Sequence, residues 1–160
     1  MLVLKRVRII ADYQFGFGAG QSLFPDTVSF VLSRTGRVSQ VLEDGTRIAT
    51  LRASDGFFTL GELGARRLHA RFSYPKLRVI VSSEAAPFVG IGKTAFAKHV
   101  LYADPDLRAR DEVLVVDEND TLLATGQAIL SPPEMLAFKR GVAVKVRKGF
   151  QGACGQLVSP

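Results

Sequence analysis

The 160-residue sequence has one cysteine, two histidines and no tryptophan. The lone Cys154 cannot close an internal disulfide, so the composition fits a reducing compartment, and the cytoplasm is the expected location. One cysteine and two histidines also argue against a closed Cys/His zinc site within a single chain. No apolar run approaches the roughly 18–20 residues that a membrane-spanning helix needs, and no membrane partner is expected. The opening MLVLKRVRII puts its bases after four apolar residues, which is not the order of a signal peptide. GxSxG, HExxH and CxxC are all missing, so no familiar catalytic or metal constellation is in view. His69 and His99 have no Asp or Glu at ligand spacing and read as packing or surface residues. The expectation is no catalytic residue, no metal and no cofactor.

What is present is ordinary globular composition, 47% hydrophobic and 22% charged, with a net charge of +6. A basic balance favours polyanionic partners. Its distribution is uneven. Residues 1–76 hold 11 Lys/Arg against 6 Asp/Glu, while residues 77–160 hold 10 against 9. The second half is polarised all the same. Its acids gather between Asp104 and Asp120. Its bases sit at Arg78, Lys93 and Lys98 and in an acid-free run from Lys139 to Lys148.

The pattern along the chain predicts an α+β protein. Residues 3–11 form a short element that periodicity does not assign to helix or strand. DYQFGFGAGQSLFP follows, too glycine-rich for a strong helix and too apolar for a free loop. Alternating segments at 28–34, 37–42 and 47–51 predict an antiparallel meander, with Asp44-Gly45 as a type I′ hairpin turn. A helix is expected from Thr59, with Thr59 and Glu62 as a capping box and Leu60, Leu63, Leu68 and Phe72 as its buried stripe. Tyr74-Pro75 ends it, and the domain boundary is placed at about residue 75.

Beyond that boundary five strands are expected, at 77–81, 94–102, 112–117, 121–130 and 141–147. Helical interruptions fall at 84–90 and 132–140. The second carries Ser131 as cap, Pro132 in the first turn, Glu134 as capping-box partner and Gly141 at the C′ position. This element pattern predicts a small mixed barrel. The domains are thus 1–75, 76–150 and a loose tail at 151–160.

Three features carry candidate chemistry. Gly90-Ile91-Gly92-Lys93-Thr94 contains the GKT of a phosphate loop, but the full pattern needs glycine where Pro87 stands. Two readings stay open, a plain glycine turn and a loop that lets a phosphodiester backbone approach Lys93. Thr94, Phe96 and Lys98 alternate onto one strand face, where Phe96 is either a base-stacking surface or core. In the last strand Lys145 and Arg147 face one way and Val142, Val144 and Val146 the other, giving an edge-like strand with a basic face. Asp104, Asp106, Asp117, Glu118 and Asp120 read as turn chemistry.

The segments GKTAFAKHV, DEVLVVDENDTLLATGQAIL and EMLAFKRGVAVKVRKG resemble a PUA domain, the small RNA-binding barrel of RNA-modifying proteins. ADYQFGFGAG, LFP and RASDGFFTL resemble the domain that precedes PUA in archaeal tRNA-guanine transglycosylases, which start archaeosine formation. The likeness spans roughly residues 8–150. It implies a small α+β domain followed by a PUA-like barrel, and binding of the tRNA acceptor stem and CCA end. The contact residues it implies are Gly90, Gly92, Lys93, Thr94, Phe96, Lys98, Lys139, Arg140, Lys145 and Arg147. That family's catalytic barrel, with its aspartates and its zinc on three Cys and one His, has no counterpart here. The resemblance therefore implies a non-catalytic accessory protein that binds tRNA or another structured RNA beside a separate catalytic transglycosylase subunit. The alternative is a ribosome- or translation-associated RNA adaptor.

Overall fold

A computed structural model describes residues 2–151, so the expected tail lies outside the described residues except for Gln151. The chain divides into two compact units, Met1–Phe72 and Ser73–Pro160.

In the first unit, residues 3–11 belong to a helix, α1 (Leu2–Phe15). Val7, Ala11 and Phe15 recur every fourth residue and are buried, as a helical stripe must be. The glycines that follow serve a helix–helix turn. Gly16 and Gly18 take φ of 126° and 93°, and α2 (Ala19–Leu23) starts at once. Gly20 approaches α1 so closely that a Cβ there would stand 2.3 Å from the carbonyl oxygen of Arg8. Asp12 fixes the approach by accepting the Gly20 N–H at 2.7 Å.

The meander is a four-stranded antiparallel sheet of β1 (Ser29–Leu32), β2 (Val38–Glu43), β3 (Thr46–Leu51) and β4 (Phe58–Leu60), paired in that order. Asp44 and Gly45 have φ of 50° and 79°, as the type I′ turn requires. The fourth strand corrects the expected helix start. Thr59 pairs with Thr50 instead of capping, and α3 (Glu62–Arg71) begins after Gly61, which caps with no side-chain hydrogen bond. Three residues of ladder satisfy more backbone groups than one capping box can. The buried face of α3 is accordingly Gly64, Ala65 and Leu68, with Leu63 and Phe72 only half-buried.

Two polar devices complete this unit. Gln14 donates from Nε2 to the Phe58 carbonyl at 2.9 Å and accepts the Phe58 N–H at 2.7 Å, taking both backbone groups that Phe58 turns away from β3. Arg67 donates to the Leu23 carbonyl at 2.9 Å and pairs with Glu43. A hydrogen bond from the Thr27 hydroxyl, followed by that from Arg67, holds the Glu43 carboxyl below the usual carboxylate range.

The second unit is a nearly closed mixed barrel of six strands. They are β5 (Arg78–Val81), β6 (Ala95–Phe96), β7 (Val100–Ala103), β8 (Glu112–Val116), β9 (Leu122–Ala128) and β10 (Val142–Gly149). Their order is β6-β10-β9-β8-β5-β7, antiparallel except for β5 and β8. The expected strand 94–102 is two strands joined by a single 3₁₀ turn, Ala97–His99. That corner carries the chain from pairing with β10 to pairing with β5, from one end of the strand order to the other.

Two helices interrupt the strands, α4 (Ala86–Gly90) and α5 (Pro132–Ala137). Helix α5 stops three residues short of the expected 140, because Phe138 is extended. Gly141, with φ of 103°, turns the chain into β10 rather than capping the helix. Strand β10 is not at an edge, since β6 and β9 flank it. Gly126 of β9 admits it closely, for a Cβ there would stand 2.3 Å from the Lys145 carbonyl oxygen.

The acidic middle is structural. Asp104 accepts the N–H groups of Leu77 at 2.8 Å and Asp106 at 3.0 Å. Asp117 accepts those of Asn119 and Thr121, and Glu118 that of Ser83. Asp120 binds Arg78 at 2.7 Å, and Arg78 is 1% exposed, so this arginine contributes no surface charge.

Gly64→Ala tests the α3–β3 contact. Alanine is the better helix former by about 1 kcal/mol, but its Cβ would stand 2.3 Å from the Ile48 carbonyl oxygen. Overpacking against backbone costs about 1–3 kcal/mol. The substitution should therefore lower the urea midpoint rather than raise it, as read by far-UV circular dichroism.

Candidate nucleic-acid interface

The glycine segment resolves into a helix stop. Gly92 adopts φ of 100° just past α4. Its N–H donates to Val89 O at 2.9 Å, and the Lys93 N–H donates to Phe88 O at 3.0 Å. This is the Schellman pattern, which satisfies the last carbonyls of a helix. The amides a phosphate would need are therefore already engaged, and the phosphate-cradle reading fails on geometry as well as on Pro87.

The stop is pressed onto the end of β10. A Cβ on Gly149 would stand 2.3 Å from Gly90 O and 2.4 Å from Gly92 N, and the Gln151 N–H donates to Gly90 O at 3.0 Å. This contact fixes where the chain leaves the helix, and hence where Lys93, Thr94 and β6 emerge.

Phe96 follows, 45% exposed, while Ala95 and Ala97 on either side are buried. The exposed alternative for Phe96 is the one the fold adopts. Its ring is a wall shared by two open grooves. One, of about 530 Å³, runs between α4 and β6 and is lined by Phe88, Lys93, Thr94, Glu84 and His99 as well as Phe96. The other, of about 320 Å³, is lined by Phe96, Lys98, Lys139, Arg140 and Gly141. Lys98 reaches this surface from the 3₁₀ turn rather than from a continuous strand. Lys139 and Arg140 reach it because α5 ends early. The start of α5 is fixed separately, by a capping box in which the Ser131 backbone N–H and hydroxyl donate to Glu134 and hold its carboxyl below the usual range.

Among the described residues, Lys93, Lys98, Lys139, Arg140 and Lys145 make no ion pair, and all five are exposed. Arg147 differs. It binds Glu112 at 2.5 Å, and the Glu112 side chain is 1% exposed. Thr125 donates toward the same carboxylate at 3.3 Å. The basic face expected on β10 is thus divided between a solvated Lys145 and an Arg147 that neutralises a buried acid. Sequence reading did not find Glu112, because its partner lies 35 residues away across two strand pairings. It also passed over Phe88 and Glu84, which no motif marks. Among the described residues no cluster of three His, Cys, Asp or Glu is placed to hold a metal.

Around the exposed Phe96 ring the surface offers cations that make no ion pair among the described residues. That chemistry suits a phosphate backbone with an unstacked base. Comparison with known proteins gives the class. Residues 77–150 match the PUA domain, and residues 5–75 match the patch-forming domain C2 of tRNA-guanine transglycosylase. The chain thus carries a patch-forming C2 domain followed by a PUA domain, and 93% of it matches the C-terminal part of archaeal tRNA-guanine(15) transglycosylase at about 50% identity.

That enzyme of Pyrococcus abyssi is 53% identical over 149 residues, covering 93% of this chain and 25% of the relative. Its Pyrococcus furiosus counterpart is 52% identical, over 91% and 24%. The chain thus spans about a quarter of the length of these relatives. Among solved structures, a hypothetical protein of Pyrococcus horikoshii OT3 superposes with a TM-score of 0.73 at 20% identity, covering 99% of this chain and 96% of its own. A conserved PUA-domain protein from Thermoplasma acidophilum does so at 0.61 and 17%, covering 96% and 91%. These two likenesses concern the fold alone.

Arg147→Ala should destabilise the protein by about 2 kcal/mol, less than the 3–5 of a fully buried broken pair because Arg147 is one-third exposed. Lys145→Ala should stay within about 0.5 kcal/mol. Urea midpoints at unchanged m-value separate the two.

Proposed function

We propose that this protein binds tRNA through the second unit, gripping the acceptor stem and the unpaired CCA end. In this reading it is a non-catalytic accessory part of archaeosine tRNA modification, acting in the cytoplasm beside a separate catalytic transglycosylase subunit. The observation that carries the reading is the exposed Phe96 ring between two grooves rimmed by Lys93, Lys98, Lys139 and Arg140. The 53% identity to a tRNA-guanine(15) transglycosylase supports tRNA as the substrate class. These 160 residues match only the C-terminal quarter of the relatives, and the accessory role is the reading in which the remaining, catalytic part is a separate polypeptide.

The division of labour follows from the chemistry. Cations fix the register on the phosphates without reading sequence, and the ring holds an unstacked base that a duplex cannot offer. A single-stranded end is the part of tRNA that satisfies both.

Two measurements test this. In fluorescence-anisotropy titrations, intact tRNA should bind more tightly than tRNA lacking CCA; equal affinity defeats the acceptor-end reading. Co-sedimentation with ribosomal subunits and no preference for free tRNA would favour a translational adaptor. Across a salt series, Lys98→Ala and Arg140→Ala should each flatten the log–log slope by about 0.7–0.9. Phe96→Ala should instead weaken binding by about 1–3 kcal/mol at unchanged slope, the signature of lost stacking.

A further inference from the structure

The first unit carries an apolar strip that neither its core nor the RNA surface uses. Along α1, Leu2, Ile9 and Tyr13 are 77%, 58% and 81% exposed, and Phe17, just beyond the helix, is 88% exposed. Ile9 and Tyr13 lie four residues apart, so they share one helix face, opposite the buried Val7–Ala11–Phe15 stripe. Helix α1 is therefore apolar on two sides, which a helix covering a single core does not need. The Tyr13 ring stacks on Phe57 at 6.1 Å and 7°, so the strip continues from the helix onto the chain before β4. Exposed apolar surface of this continuity marks an interaction site.

Charge indicates the kind of occupant. Lys5 and Arg6 are exposed beside Leu2 and Ile9 and make no ion pair among the described residues. The acid on this helix, Asp12, is engaged by Gly20. An apolar centre with a cationic rim complements a protein surface with an apolar centre and an acidic rim. It suits RNA poorly. Leu2 and Ile9 have no π-face for a base, and one face of Tyr13 is already covered by Phe57. The relatives supply the candidate. Three-quarters of their length has no match in this chain, and the matched part is their C-terminal part.

We propose that the α1 strip is the docking face for the catalytic transglycosylase polypeptide, the counterpart of the region that precedes these two domains in the relatives. This rests on the accessory role proposed above. The strip holds the catalytic polypeptide while the second unit remains open to tRNA. Partner binding and RNA binding then use separate residues.

The test co-expresses the full chain with the catalytic transglycosylase polypeptide of the same organism and measures the dissociation constant by sedimentation. The double variant Ile9→Asp/Phe17→Asp should lose at least about 30-fold in affinity, the scale of one interface anchor. Its circular dichroism, urea midpoint and tRNA affinity should match the wild type. Tyr13→Ala, which adds no charge, should lose affinity in the same direction. Leu136→Asp, on an exposed apolar residue of α5, should leave partner affinity unchanged. Unchanged partner binding by the double variant overturns the docking face while leaving the accessory role standing. A wild-type chain that ignores the catalytic polypeptide overturns both. Loss of tRNA affinity in a folded double variant would assign the strip to RNA, and strip-dependent self-association without the partner would assign it to a second copy; either overturns the proposal.

Discussion

The second unit depends on one place where two backbones meet with no side chain between them. Gly149, at the end of β10, lies against Gly90 and Gly92 at the end of α4. A methyl group on Gly149 would force them apart. Because they touch, the helix stop is anchored to the sheet and the next residues leave in a fixed direction. Lys93, Thr94 and Phe96 owe their positions to this contact together with the Lys93 N–H bond to Phe88 O and the pairing of Phe96 with Val142. In the segment that resembled a phosphate loop, glycine at 92 serves a left-handed turn, and the glycine that closeness demands is its neighbour in space, Gly149.

Electrostatics in the barrel follows a division that net charge conceals. Arg78 and Arg147 are spent inward, on Asp120 and Glu112. Of the acids from Asp104 to Asp120, Asp104, Asp111, Asp117 and Glu118 accept backbone N–H groups, Asp120 binds Arg78 and Glu112 binds Arg147. Left in solvent are Lys93, Lys98, Lys139 and Arg140 around Phe96, with Lys145 and Lys148 on β10 and Arg108 and Arg110 elsewhere. A half-chain of nearly zero net charge thus presents a basic patch at Phe96, because none of its acids pairs, among the described residues, with the cations there.

The sequence made much of this legible. The two domains' α+β character, the type I′ turn at Asp44-Gly45 and the α5 capping box were all readable from local chemistry, which acts within a few residues. What escaped reading was decided at long range. Thr59 has the right spacing for a cap but joins β4, because β3 offers it a ladder. The 94–102 segment alternates like one strand, yet closing the barrel demands a corner at Ala97–His99. Arg147 alternates with Lys145, and only the strand register reveals Glu112 beneath it. Which face of Phe96 meets solvent was likewise undecidable from alternation, since both its neighbours are alanines and bury without preference for either outcome. The contact residues named from the sequence do not form one continuous strand face. Five of them, Lys93, Thr94, Lys98, Lys139 and Arg140, gather at Phe96 from three different segments, while Lys145 and Arg147 follow β10.

The clamp by Gln14 has a consequence for assembly. A sheet rim with unengaged N–H and C=O groups recruits strands from other chains. At Phe58 both groups already face a side-chain amide that imitates a neighbouring strand. An incoming strand at β4 would have to evict Gln14 first and recover nothing the rim does not already have. The first unit is thereby steered away from joining other molecules through its backbone at that rim, and whatever it meets there it must meet through side chains.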